Sequence, residues 1–225
     1  MDVTEDLHLE ALREQILLAA LPNVPFDGWT LGVLRAAARN AGLDPADALR
    51  AFPRGPIDAI AYWSALADRR MAEALAERNL PELSVRERVA TAIRVRFEQA
   101  APYREALRRA LSVLAMPQNA AVAARSLYRT VDAIWYACGD RATDFNFYTK
   151  RGLLAGVYSA SLLYWLNDES EGFNETWAFI DRRIADVMVI PRVQADIGRV
   201  VAHLPNPFRL LPSRLFRGAS GARWR

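Results

Sequence analysis

The chain is poor in the residues that build several kinds of site. Its one cysteine, Cys138, excludes an internal disulfide framework and suits a reducing compartment. That cysteine has no basic residue adjacent in sequence and reads as a buried structural thiol. The two histidines, His8 and His203, lie near opposite ends. No pair of Glu-x-x-His turns occurs, so a di-iron carboxylate site is not expected, and no metal or cofactor is predicted. A Gly-rich phosphate loop and a nucleophile elbow are also missing. Asp132, Asp140 and Asp144 cluster in sequence, but clustered acids alone do not make an acid–base site. An enzyme is not expected. No uncharged apolar run reaches the roughly 20 residues of a spanning helix. The acidic opening "MDVTEDLHLE" fits neither a secretory signal nor a mitochondrial presequence. A cytoplasmic, bacterial-type chain is expected, at most peripheral to the inner face of the membrane.

Glycine and proline are sparse for 225 residues, at 11 and 12. Alanine, leucine and arginine dominate instead, which favours an all-α chain. A net charge of +3 is too small to argue for nucleic acid by itself. Helical spacing runs from about His8 to Ala20. "PNVPFDG" reads as a turn. Thr30 is a candidate N-cap for a helix closed by Ala41-Gly42, and Asp44 one for a short helix with Pro45 first. Long helices follow over Ile57–Asn79, Ser84 to before Pro102, Tyr103–Met116 and Ala120–Cys138. Ser84-x-x-Glu87 fits a capping box, and Gly139 a helix stop. Asp144–Leu166, Asn174–Val189 and a helix from Pro191 to Leu204 complete the pattern.

The first three helices carry "GWTLGVLRAAARNAGLDPADALRAF", which resembles the DNA-binding end of TetR-family regulators. Gly28, Thr30, Ala37, Ala38, Gly42 and Phe52 fall where that pattern has turn and packing residues. Base readout calls for Arg, Lys, Asn or Gln on the second helix. "DPADALRAF" offers Asp44, Asp47 and only Arg50. The helix-turn-helix is therefore expected to serve packing, and nucleic acid is not an expected partner. A TetR-like regulator with a hydrophobic effector is the alternative.

The most informative stretch contains "TDFNFYTKRGLLAGVYSASLLYWL", from Thr143 to Leu166. With Asp132-x-x-Trp135, Gly139-Asp140, Asp168 and Thr176-Trp177, it resembles the Coq-nine family. These are ubiquinone-biosynthesis accessory proteins with a TetR-like fold. The resemblance implies an all-α, TetR-like helical bundle with a helix-turn-helix-like three-helix unit at its N-terminus. Division into 1–55, 56–190 and 191–225 is expected, with a homodimer. It also implies binding of an isoprenoid quinone intermediate or phospholipid, delivered to the membrane-bound di-iron hydroxylase of the quinone ring. No activity of its own is implied.

The residues can be read beside this. Gly152, Gly156 and Ala160 recur every four positions, which permits close packing or leaves room for a ligand. Another face of the same helix carries Leu154, Val157, Tyr158, Ser161, Leu162 and Trp165. With Trp135 and Trp177 these are the candidate lipid-binding residues, for an apolar lining with few polar groups. Asp144 reads as an N-cap at the helix start. Phe147 and Tyr148 are neighbours that cannot both face the core, so at least one is expected to be exposed. The resemblance places Asp132, Ile134, Asp144, Phe147 and Tyr148 in the surface that meets the hydroxylase, and Arg151 joins that candidate patch. Phe147 stands where other members often have Trp, which keeps the apolar anchor and loses an N–H donor.

The last segment is basic and aromatic. Val193, Ile197, Val200, Val201 and Leu204 share one helical face. Phe208, Arg209, Arg214, Phe216 and Arg217 follow, and no acid comes after Asp196. This pattern suits an anionic membrane surface, where each Arg contributes roughly 1 kcal/mol.

Overall fold

Local signals start and stop most of the helices. Thr30 accepts a hydrogen bond from the Val33 N–H at 3.2 Å and opens α3 (Leu31–Asn40). Gly42 closes it at φ +75°, where a side chain would be strained, and the Leu43 N–H donates back to the Ala38 carbonyl at 2.9 Å. Ser84 and Glu87 form the expected reciprocal capping box at the head of α6 (Val85–Ala100). Gly139, at φ +85°, follows α8 (Ala120–Ala137).

The computed structural model describes the backbone of residues 3–139 and 145–187, and the side chains of 5–139 and 148–187. Every regular element among them is helical. Besides α3, α6 and α8 these are α1 (Val3–Ala20), α2 (Val24–Asp27), α4 (Asp47–Ala51), α5 (Pro56–Ala76), α7 (Arg104–Leu114) and α9 (Phe145–Trp165). Residues 174–187 form a further helix, α10. The expected helix from Pro191 and the basic, aromatic segment lie outside the described residues, as do Asp140, Thr143 and Asp144.

Four expectations need adjustment. The first helix begins at Val3 rather than His8. The segment read as a turn holds the short α2, with Pro25 in its first turn, where a missing N–H costs nothing. Asp44 does accept a hydrogen bond, from the Ala46 N–H at 2.7 Å, but the α-helix proper begins at Asp47. α5 ends at Ala76, three residues early, because Leu80–Glu82 form a 3-10 turn around Pro81.

Residues 1–185 form one compact unit, and a second begins at Asp186. The expected division at residue 55 is not a break in packing. α1, α3 and α4 share a core with Ile60 and Leu66 of α5 and with Ala106 and Ala110 of α7. Trp29 crosses from the N-terminal helices and donates its indole N–H to the Ala106 carbonyl at 3.0 Å. Behind them α5 packs on α6 and α8, and α8 on α9.

The α9–α10 connection is held by one carboxylate. Asp168 accepts from the Ser170 N–H at 2.8 Å, the Thr176 N–H at 2.9 Å and the Thr176 hydroxyl at 2.5 Å. From α7, Arg104 donates to the carbonyls of Trp165 and Asp168, and Arg108 to that of Leu166, satisfying the C-terminal carbonyls of α9. Burial raises the Asp168 pKa, but the bonds from Ser170 and Thr176 outweigh it and bring the carboxyl from 3.8 down to about 2. A lowered folded-state pKa gives stability that is complete above the unfolded value near 3.8 and is lost as pH falls through about 2. Asp168→Asn is therefore expected to lose about 2 kcal/mol at neutral pH. In urea titrations at successive pH values, the gap between wild type and variant should close between about pH 4 and 2; a gap independent of pH would contradict this origin.

Candidate functional site

Alanines at helix crossings leave space that larger side chains wall in. Ala67 of α5, Ala110 of α7 and Ala123 of α8 meet Leu66, Leu107, Leu127 and Leu162 around a cavity of about 400 Å³. That volume lies in the range of small-molecule sites, roughly 300–1,000 Å³. Trp63 and Tyr103 add aromatic wall. Trp63 packs against Trp29 and Tyr103, with ring centroids 5.6 and 6.4 Å apart. Leu163 also lines the space yet is 59% exposed, so the cavity reaches the surface beside it.

One part of the wall is polar. Asp68 of α5 is 5% exposed and Arg96 of α6 is 8% exposed. Asp68 accepts from Arg96 Nε at 3.0 Å, the Thr130 hydroxyl at 2.8 Å and Arg129 Nε at 3.2 Å. Arg96 also donates to the Ser64 carbonyl at 3.3 Å, and Arg129 to that of Ala61 at 3.0 Å. Arg96, Ser64, Ser126 and Thr130 all line the cavity. Tyr158 joins them, its ring 5.6 Å from that of Phe97. Burial pushes the Tyr158 phenol above its ordinary value, so it stays protonated at neutral pH.

The expected lining residues divide. Tyr158 and Leu162 line the cavity. Leu154, Val157, Ser161 and Trp165 are buried, but in the packing between helices rather than on the cavity wall. Trp165 stacks on Phe97 with centroids 5.2 Å apart, and the Arg104 guanidinium lies 5.3 Å from the Trp165 ring centroid. Trp135 and Trp177 lie away from the cavity. Lys150 Nζ is 5.8 Å from the Trp135 ring centroid, and the Arg94 guanidinium 4.6 Å from that of Trp177. The Trp177 indole donates to the Gly172 carbonyl at 2.7 Å. α9 supplies only a strip of the wall because α5, α7 and α8 converge on it.

The expected partner surface also divides. Tyr148 is 72% exposed. Asp132 is half-exposed and accepts from Arg151 Nε at 2.8 Å and Nη2 at 2.6 Å, tying α8 to α9. Arg151 is buried. Ile134 is a correction: it is 0% exposed, because it sits on the α8 face turned into the core. The Phe147 side chain and Asp144 lie outside the described residues.

Sequence reasoning missed Asp68, Arg96, Ser126 and Thr130. One signal was available. Arg96 lies between Val95 and Phe97 in a helix whose inner face is otherwise apolar, and a charge in such a place calls for a buried partner. Among the described residues no group of three His, Cys, Asp or Glu side chains is placed to hold a metal. No helix among them is long and apolar enough to cross a membrane.

Residues 120–191, covering α8, α9 and the Asp168 connection, match the COQ9 family model. A rat relative, "Ubiquinone biosynthesis protein COQ9, mitochondrial" (Rattus norvegicus), is 36% identical over 186 residues, 80% of this chain and 59% of that protein. The chain belongs to the COQ9 family. The Drosophila melanogaster COQ9 protein is 31% identical over 83% of this chain and 58% of its own length. The chain thus spans about three fifths of the length of these relatives. Among solved structures, a TetR transcriptional regulator from Nitrosomonas europaea aligns with a TM-score of 0.65 at 21% identity, covering 79% of this chain and 98% of that one. This COQ9-family chain therefore has the TetR-like, all-α fold that its sequence led us to expect.

Proposed function

We propose that this COQ9-family chain is a non-enzymatic accessory protein of ubiquinone biosynthesis. It binds a prenylated quinone intermediate, or another lipid, and presents it to a membrane-bound hydroxylase. The observation that carries this reading is the largely apolar cavity of about 400 Å³ inside the bundle, opening beside the exposed Leu163. Its relatives' names supply the pathway. The same space in a transcriptional regulator would take an effector, but α4 is five residues long, begins at Asp47 and is preceded by Asp44. Acids there meet phosphate at an energetic cost, so regulation is the weaker reading.

Presentation requires a partner face. Tyr148 gives an exposed aromatic anchor beside the Asp132–Arg151 pair, and large rigid aromatics carry much of the energy at interfaces. Membrane attachment is assigned to the segment after Pro191, where arginines and aromatics are interleaved and no acid follows Asp196.

Lipid extracted from the purified full chain should contain a prenylated aromatic or a phospholipid by mass spectrometry. Ala110→Leu, which puts new carbons into the cavity, should lower that yield several-fold while unfolding stays cooperative. A lipid-free wild-type protein that also fails to take up added lipid would sink the cavity reading. Tyr148→Ala should leave thermal stability within about 0.5 kcal/mol, because the side chain is exposed, and weaken hydroxylase capture at least tenfold. Undiminished capture would remove Tyr148 from the interface. Truncation after Leu204 should reduce co-flotation with anionic liposomes but not with neutral ones; equal flotation of both chains would rule out the tail as the anchor.

A further inference from the structure

The cavity is not uniformly apolar, and its polar groups are incompletely used. A hydroxyl on the wall of such a space can bond a ligand where no protein group engages it. Ser126 and Tyr158 are each 7% exposed and line the cavity. Neither has a hydrogen-bond partner among the described residues. Arg96 adds a third unused group: Nε and Nη2 are engaged by Asp68 and Ser64, and Nη1 has no partner among the described residues. Ser126 lies one turn before Thr130, whose hydroxyl is held by the same Asp68 carboxylate as Arg96. The unused groups thus gather around the Asp68 cluster.

Much of the rest of the wall is aliphatic. Ala123 and Leu127 of α8 and Leu162 and Leu163 of α9 line the space beside these groups, and Leu163 is exposed. The space therefore offers a cluster of hydrogen-bonding groups next to a run of aliphatic side chains. Charge sharpens the choice of ligand. Two guanidinium groups share the single Asp68 carboxylate, so this cluster carries excess positive charge. It favours an accepting oxygen and disfavours an ammonium head.

We propose that Tyr158, Ser126 and Arg96 form a head-group subsite that hydrogen-bonds a ring oxygen, phenolic or quinonoid, of an apolar ligand whose prenyl tail lies along Leu127, Leu162 and Leu163. This inference rests on the lipid-binding reading and deepens it. The subsite selects for an oxygenated aromatic head, and a hydrocarbon or a cationic amphiphile gains nothing there. Because the phenol of Tyr158 stays protonated, it donates to the ligand oxygen across the neutral range.

The test compares two probes on the full chain, 2-geranylphenol and geranylbenzene, which share a tail and differ by one hydroxyl. Binding is read from the change in tryptophan emission, to which Trp63 in the cavity wall contributes, and from calorimetry. The wild type should bind the phenol about three- to tenfold more tightly, the size expected for one or two net hydrogen bonds. The double variant Tyr158→Phe, Ser126→Ala keeps the ring and most of the volume, leaves only Arg96 of the three groups, and should lose most of that preference. Equal binding of both probes by the wild type would overturn the subsite and leave the cavity reading standing, with water satisfying the hydroxyls. A preference undiminished in the double variant would also overturn it. Failure of both probes to bind at all would overturn the lipid-binding reading itself. If the double variant does not fold, the wild-type comparison still decides the matter.

Discussion

The bundle depends on a single buried carboxylate. Asp68 projects from α5 and receives Arg96 from α6 with Arg129 and Thr130 from α8. An isolated charge at this depth would cost several kcal/mol, so the three donors are a condition of its being there. Removing one partner of such a set generally costs about 3–5 kcal/mol, because the other charge is left uncompensated. Orientation matters as much as energy. Salt-bridge geometry fixes the register of α5 against α6 and α8, the same helices whose alanines leave the cavity open. A purely apolar wall would tolerate sliding and collapse; a wall with a fully engaged carboxylate tolerates much less.

From that node the order of dependence runs outward. Once α5 is fixed, Trp63 is fixed on it, and Trp29 packs against Trp63 while its indole holds the Ala106 carbonyl of α7. The N-terminal helices are thereby bound to the helix that forms one side of the cavity. This explains how helix-turn-helix geometry persists with a five-residue α4 and acids at its approach. Arg13 of α1 donates to the Ala51 carbonyl at the end of α4, and Gln15 to the Ala41 carbonyl at the end of α3. The motif is held by its own helix ends and by the bundle, and none of those contacts requires a nucleic acid.

What could be read from the chain in advance follows from how local each cause is. The cap at Thr30, the box at Ser84 and Glu87, and the stops at Gly42 and Gly139 each involve residues within five positions of one another, and each was legible. The string from Thr143 to Leu166 identified the family and with it the fold. The cavity was less legible. Its wall draws on α5, α6, α7, α8 and α9, and no single helix carries a pattern for a space that only their crossing creates. α9 is apolar on most of its surface, so periodicity could not separate Tyr158 and Leu162, which line the space, from Leu154 and Trp165, which pack beside it. Ile134 shows the same limit: three residues before Ala137 it sits among exposed and half-exposed neighbours, and only the packing of α8 against other helices decides that it is covered.

The glycines of α9 sharpen the point. Gly152, Gly156 and Ala160 recur every four residues, a spacing that suits either close helix packing or room for a ligand. In the folded chain all three are exposed, and a Cβ added at Gly152 or Gly156 would meet nothing within 4 Å. They lie on a different face from Leu154, Tyr158, Leu162 and Trp165, so they do not make the cavity. Space for the ligand comes instead from Ala67, Ala110 and Ala123, residues common enough in helices to carry no signal of their own. The two features of α9 therefore separate physically. Its inner strip contributes a polar hydroxyl and an aliphatic edge to an internal site, while its small-residue strip leaves the backbone accessible from outside. Enlarging a glycine on the outer strip should leave the internal volume as it is, whereas enlarging one of the three alanines changes that volume directly.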